Sequence, residues 1–203
     1  MDRQGLETAC TEFWDWFVAN ATNLRSLLES GQTERLEQEI SPRVDKVDPE
    51  IAWEVGRDEA GQASITLTAE GNPRLRAIVE CLFRNRKSIP DWTVYSYRQP
   101  KTRSALEALL RSQGYDLNLE DVFVSPAIAP SKHRVDVTVV SPELASVEPD
   151  SERTRVTFFI LDGLLGEDLV EGLIGSVEVA ATKEKKAMPI TKMQGFLKEL
   201  LGG

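Results

Sequence analysis

Ile51-Ala52-Trp53-Glu54-Val55-Gly56 and Ser64-Ile65-Thr66-Leu67-Thr68, separated by the turn-forming Asp58-Glu59-Ala60-Gly61, decide the fold. Ile51, Trp53 and Val55 alternate with Ala52, Glu54 and Gly56, and Ile65 and Leu67 alternate with Ser64, Thr66 and Thr68. A period of two is the pattern of a strand with one buried face. Two such runs joined by a short glycine-containing loop predict a β-hairpin. Asn72-Pro73 then opens a helix, as an N-cap followed by proline at the first helical position. Leu75, Ile78, Val79 and Leu82 supply its buried face, and Trp92 to Tyr97, bounded by Pro90 and Pro100, reads as a third strand. Helices and strands alternate irregularly, with hairpins between several strands. The expected class is α+β, with mixed, largely antiparallel sheets packed by helices rather than a doubly wound parallel sheet.

Upstream of the hairpin, Leu6, Cys10, Phe13, Phe17, Ala21, Leu24 and Leu28 follow one another at steps of four and three. This predicts one apolar stripe on a helix over about residues 4–29, stopped at Ser30-Gly31. Trp14 and Trp16 flank the stripe, where a large ring packs and its N–H still finds an acceptor. A second helix starts near Thr33 with Leu36, Ile40 and Val44 on its inner face, and Pro42 is expected to end or kink it. Asp48-Pro49 marks a turn.

Downstream, the polar segment Arg98 to Arg103 is the expected boundary between an N-terminal half, residues 1–99, and a C-terminal half, residues 104–203, packed as one compact unit. Each half carries helices and at least three strands, so two similar α+β halves are conceivable, although no residue-level repeat supports a duplication. Ser104 with Glu107 forms a capping box for a helix over 105–112, ended by Gly114. Strands are expected near 121–125, 134–140 and 154–161, the last continuously apolar from Val156 and therefore central. Glu148 to Glu152 reads as an acidic loop. A short helix near 166–173, a strand at 176–181, a lysine-rich solvated loop at Lys183 to Lys186 and a helix at 190–201 complete the chain.

Composition limits the chemistry. The chain has 203 residues and a net charge of −9, and both halves are acidic, so a nucleic-acid backbone meets no electrostatic footing. Arg74, Arg76, Arg84, Arg86 and Lys87 form the one concentrated basic region, and the last three suit the negative pole of a helix end. No apolar run is long enough for a membrane span, and the first residues lack a signal-peptide pattern. Two cysteines, Cys10 and Cys81, read as buried reduced thiols, which with the missing leader points to the cytoplasm. His133, the sole histidine, excludes two-histidine zinc sites and sits in the turn Pro130-Ser131-Lys132-His133. No nucleophile elbow, phosphate loop, dinucleotide fingerprint, paired-cysteine motif or calcium loop is present, and Asp45, Asp48 and Glu50 read as a solvated turn. No metal, cofactor or catalytic residue is expected.

One constellation remains. If Ile51, Trp53 and Val55 face the core, Glu54 lies on the opposite face with Ser64, Thr66 and Thr68. Tyr95 and Tyr97 join them from the third strand, with Arg98 at its end. Such a face is suited to a polar ligand or peptide, or is a polar sheet surface with Glu54 paired to Arg98. Glu167, in the first turn of the helix expected near 166–173, is accounted for by the macrodipole and is also a candidate binding carboxylate.

Phe13-Trp14-Asp15-Trp16-Phe17, Val47-Asp48-Pro49 through Trp53-Glu54, Ala69-Glu70-Gly71, Asp91-Trp92 with Tyr97-Arg98, and Leu161-Asp162-Gly163-Leu164-Leu165-Gly166-Glu167 together span most of the chain. In this order they resemble a family of uncharacterised bacterial proteins with an F-W-x-W-F helix and an L-D-G-x-L-G-E segment. The resemblance implies a shared architecture and, from some relatives, partner binding. It implies no reaction and no catalytic residues.

The expected function is a non-catalytic binding or interaction module, immunity-like or regulatory, whose acidic surface steers toward another protein or a polar small ligand. The alternative is a small hydrolase using carboxylates and tyrosines, built around Glu54, Tyr97 and Glu167. The oligomeric state is not specified by the sequence.

Overall fold

The computed structural model describes residues 2–129, 134–182 and 186–202. The expected turn at Pro130 to His133 and residues 183–185 of the lysine-rich loop lie outside the described residues. The fold is α+β, and the chain divides into two compact units, Met1–Arg98 and Gln99–Gly203.

The first unit opens with α1 (Arg3–Glu29), capped by Asp2, whose side chain accepts from the Gly5 N–H at 2.8 Å. The stripe read from the sequence is its buried face: Cys10, Phe13, Phe17 and Leu24 are nearly inaccessible. Trp14 lies deeper than a flanking position requires. It is fully buried, and its indole N–H donates to the Leu82 carbonyl at 2.8 Å. Phe17 meets Trp92 edge-on with centroids 5.0 Å apart, and the Trp92 indole donates to the Ala21 carbonyl. Burying both indoles against Phe13 and Phe17 is tolerable because both N–H groups find acceptors.

Helix α2 (Thr33–Val44) continues through Pro42 to Val44 instead of ending there. Leu36, Ile40 and Val44 are all buried, so packing of the inner face outweighs the missing N–H so close to the helix end. Strands β1 (Ala52–Arg57) and β2 (Ala63–Thr68) form the expected antiparallel hairpin, with Ala52 opposite Thr68 and Arg57 opposite Ala63. Helix α3 (Pro73–Arg84) begins at Asn72, whose side chain accepts from the Arg74 N–H at 3.0 Å. Strand β3 (Trp92–Tyr95), two residues shorter than expected, returns parallel to β2, giving the order β1-β2-β3. Every residue of the central strand β2 is buried. Ile65, Leu67 and Trp92 point into the core with α1 and α3, while Trp53, Val55 and Val94 pack partly buried at its margin.

The second unit departs from the expectation in several places. Helix α4 (Arg103–Ser112) is capped by Thr102, which accepts from the Ala105 N–H, and not by Ser104. Glu107 is therefore not half of a capping box, and its carboxylate accepts from the Leu119 N–H at 3.0 Å. Strands β4 (Phe123–Ala129) and β5 (Arg134–Val140) pair antiparallel. The short helix α5 (Pro142–Ala145) follows, unforeseen in the sequence. The expected central strand at 154–161 is helix α6 (Asp150–Leu165). Burial at Val156, Thr157, Ile160, Leu161 and Leu165 follows a helical step, and a short apolar run cannot by itself be told from a strand. The acidic stretch read as a loop contributes Asp150 and Glu152 to the first turn of α6, where negative charge is favoured. Gly166, at φ +86°, ends α6 and leads into α7 (Glu167–Leu173), since an L side chain is strained at that backbone angle.

Strand β6 (Ile174–Ala180) runs parallel to β5, and β7 (Met188–Pro189) adds antiparallel to β4, giving β6-β5-β4-β7. A 3₁₀ turn (Ile190–Lys192) and α8 (Met193–Gly202) close the described chain. Both units thus repeat one connectivity: an antiparallel hairpin, a helical segment, and a strand parallel to the second strand of the hairpin. They differ at the outer edge of the first hairpin strand. In the second unit β7 occupies the edge of β4; in the first, β1 is the edge. No helix among the described residues is long and apolar enough to cross a membrane.

Candidate functional site

The polar face of the first sheet is built by the hairpin register. Glu54 stands opposite Thr66, and Thr66 beside Tyr95, so the three form one row across β1, β2 and β3. Thr66, on the central strand, is only 7% exposed, whereas Glu54 and Tyr95 lie half-buried at the row's two ends. Burial, followed by the charges of Asp58 and Glu59, raises the Tyr95 phenol above its ordinary range, so it is a poor source of phenolate. Next to it, Thr93 donates to Asp58 at 2.7 Å and holds that carboxyl below its usual range.

Arg98 bridges two carboxylates at the site. Its Nε donates to Glu54 Oε1 at 2.6 Å and its Nη2 to Glu70 Oε1 at 2.6 Å. Burial alone would disfavour the guanidinium charge, and the bonds to Glu70 and Glu54 more than reverse this. Glu70 reaches Arg98 from a tight turn in which it adopts φ +49° and Gly71 φ +75°. The Glu54 carboxylate is therefore a member of an ion-pair network, not an isolated base. Tyr97 lies apart from the row: the Arg76 guanidinium stacks on its ring 3.8 Å from the centroid and donates to the Ser96 carbonyl. Glu167 belongs to the second unit, where it is 2% exposed. Of the six candidate residues, the structure joins Glu54, Thr66 and Tyr95 in a row and Arg98 to Glu54.

The basic cluster and the acidic turn answer each other. Arg74 donates to Asp48 at 2.7 Å and to Glu50 at 2.5 Å, and the Arg74 bond is the main cause of a lowered Asp48 carboxyl. Lys87 pairs with Asp15, and Arg86 stacks on Phe83. Among the described residues no group of three or more histidine, cysteine or carboxylate side chains converges to hold a metal.

A second feature was not foreseen. An open groove of about 530 Å³ runs between α2 and the β1 edge. Leu36 and Ile51 are buried at its base, Trp53 and Val55 line it half-buried, and Glu37 and Asp45 stand exposed along its rim. The sequence held a signal for it. Glu37, Ser41 and Asp45 repeat every four residues beside the core stripe Leu36, Ile40 and Val44, placing a polar line next to an apolar one on α2. Nothing in the local sequence says which strand that line will face.

Comparison with protein-family models, with curated proteins and with solved structures finds no match to this chain.

Proposed function

We propose that this chain is a non-catalytic interaction module, immunity-like or regulatory, working in the bacterial cytoplasm by binding another protein. The observation that carries this reading is the groove beside β1, where half-buried Trp53 and Val55 adjoin a strand edge that no other strand covers among the described residues. Aromatic side chains in a partly desolvated groove are the usual anchors of an interface, and an open strand edge is a template for pairing. The chemistry of the polar face points the same way. Glu54 is tied to Arg98, Tyr95 keeps its proton, and Glu167 is buried, so none is presented as a free base or nucleophile. The cytoplasmic placement rests on Cys10 and Cys81 both being free thiols. The reading is tested by affinity capture from the native host, followed by reconstitution of the captured protein with purified components. A stoichiometric complex that forms from the two purified proteins is expected. Turnover of a small molecule by the purified chain, with no partner reconstituted, overturns it.

A further inference from the structure

The geometry points to strand addition: we propose that an extended, cationic segment of another protein pairs its backbone with the edge of β1, lays alternate apolar side chains into the groove against Trp53 and Val55, and sets its cations against Glu37 and Asp45. This rests on the interaction-module reading and specifies the partner's chemistry and binding mode.

Three observations support it. The first is the edge itself. Strand β1 pairs with β2 in unbroken register over all six residues, Ala52 to Arg57, with no bulge, and its sequence holds neither proline nor lysine. Bulges, proline and lysine are among the devices by which folded proteins blunt an edge, and the strand's own charges, Glu54 and Arg57, are engaged by Arg98 and by the Gly61 carbonyl. The groove adjoining this edge is lined on one side by β1 and on the other by α2, which is the arrangement that supplies backbone pairing and side-chain pockets together.

The second is the molecule's own precedent. The two units share their hairpin–helix–strand connectivity, and β4 in the second unit corresponds to β1 in the first. The outer edge of β4 carries an added antiparallel strand, Met188 against Val124 and Pro189 against Phe123. The Ile190 N–H continues that attachment by donating to the Val122 carbonyl. The added strand belongs to Lys186-Ala187-Met188-Pro189-Ile190, an apolar stretch preceded by lysine. This connectivity therefore accepts a strand on that side of the hairpin.

The third is charge, which chooses among occupants. Glu37 and Asp45 are exposed and make no ion pair among the described residues, in a chain of net charge −9. A second copy would bring the same acidic groove and a net charge of −9 to the contact, which like-charge repulsion opposes. A basic segment meets complementary potential instead.

The test uses the full chain and an eight-residue peptide of alternating lysine and valine, acetylated and amidated, titrated calorimetrically at low salt. Controls are the same peptide N-methylated at alternate amides, which removes strand pairing, and a peptide with glutamate in place of lysine. Saturable binding of the cationic peptide is expected, weakened at least about tenfold by N-methylation and about tenfold by Glu37→Lys with Asp45→Lys. Hydrogen exchange should show new protection at residues 52–57. Both substitutions are at exposed positions, so they leave the fold intact; Val55→Lys tests the groove directly, with circular dichroism confirming that it folds. Absence of binding, equal binding of the N-methylated peptide, protection outside β1, or a β1-mediated dimer of the free chain overturns the inference. If a partner reconstituted under the proposed function binds the Glu37→Lys/Asp45→Lys and Val55→Lys variants as well as the wild type, strand addition fails while the interaction reading stands.

Discussion

The Cys10 thiol on α1 donates to the Cys81 sulfur on α3 at 3.5 Å, joining two residues 71 positions apart in the chain. Both are free cysteines, 0% and 5% exposed, and they are the only two the protein has. They behave as small apolar groups at the helix contact, which is the ordinary role of a buried reduced cysteine.

Burial, then the hydrogen bond and charge of Cys81, pushes the Cys10 thiol up to about 12 from an ordinary 9.0. The folded state thus holds a proton that the unfolded chain releases near pH 9, so this stabilisation is full below that pH and is lost as pH rises toward 12. Urea midpoints are expected to decline over this window in the wild type and to decline less in Cys10→Ala. Iodoacetamide at pH 8 should label Cys10 only after denaturation; rapid labelling of the native protein would contradict the burial.

Arg98 bridges Glu54 and Glu70, and its side chain is 24% exposed. Arg98→Ala removes the cation shared by two neighbouring carboxylates and should cost about 1–2 kcal/mol in chemical denaturation, a value between those for exposed and buried charged bonds. Arg98→Lys should recover less than half of this, because a single ammonium nitrogen lacks the planar fork whose separate Nε and Nη2 reach Glu54 and Glu70. The loss should shrink in a Glu54→Gln background.

Trp14 seals the end of α3. The Arg86 N–H bonds to Phe83, so the Leu82 carbonyl lacks that helical partner and takes the Trp14 indole instead. Trp14→Phe keeps most of the apolar volume but strands this carbonyl, at a cost of about 1–3 kcal/mol. Trp14→Ala adds a cavity and should cost about 3–5 kcal/mol. A Trp14→Phe variant as stable as the wild type would mean that the hydrogen bond contributes nothing.

Gly163 allows α6 to approach α4. A Cβ there would lie 2.6 and 2.8 Å from the two methyl carbons of Leu106, itself fully buried. Alanine gains about 1 kcal/mol of helix propensity, against overpacking of about 1–3 kcal/mol. Gly163→Ala is therefore expected to lower the melting temperature, and a Leu106→Ala background should turn the same change neutral or stabilising.

Glu152, bonded by Arg155 and then by Tyr115, is drawn down to about 2 from an ordinary 4.5. The ion pair's contribution is present above pH 4.5 and fades as pH falls toward 2. A carbon-detected NMR titration should show Glu152 titrating well below the ordinary 4.5. In Arg155→Ala its titration should move back toward 4.5 but stay below it, because the Tyr115 bond remains.

The local pattern was legible where it concerned a single element. Asn72-Pro73 announced a cap and a first turn because the side chain that satisfies the Arg74 N–H is only two residues away. Alternation in 51–68 gave the hairpin and turned Glu54 away from the core, because the pleat allows no other assignment once Ile65 and Leu67 are buried. It failed at Val156 to Leu161, where an apolar run satisfies both periods and the helix was chosen by packing on both sides. It also misassigned the cap of α4 by two residues, since Ser104 and Thr102 are chemically equivalent candidates and Glu107 was drawn to Leu119 by the fold.

Residue order alone established the class, the apolar stripe of α1, the hairpin and the polar row that includes Glu54, because each depends on spacings of two to four residues. Only the folded arrangement brought Cys81 to Cys10, turned Arg98 onto Glu54 and Glu70 together, and placed Glu37 and Asp45 beside the edge of β1. Those relations join positions far apart in the chain, and their geometry is set by how helices and strands share one core.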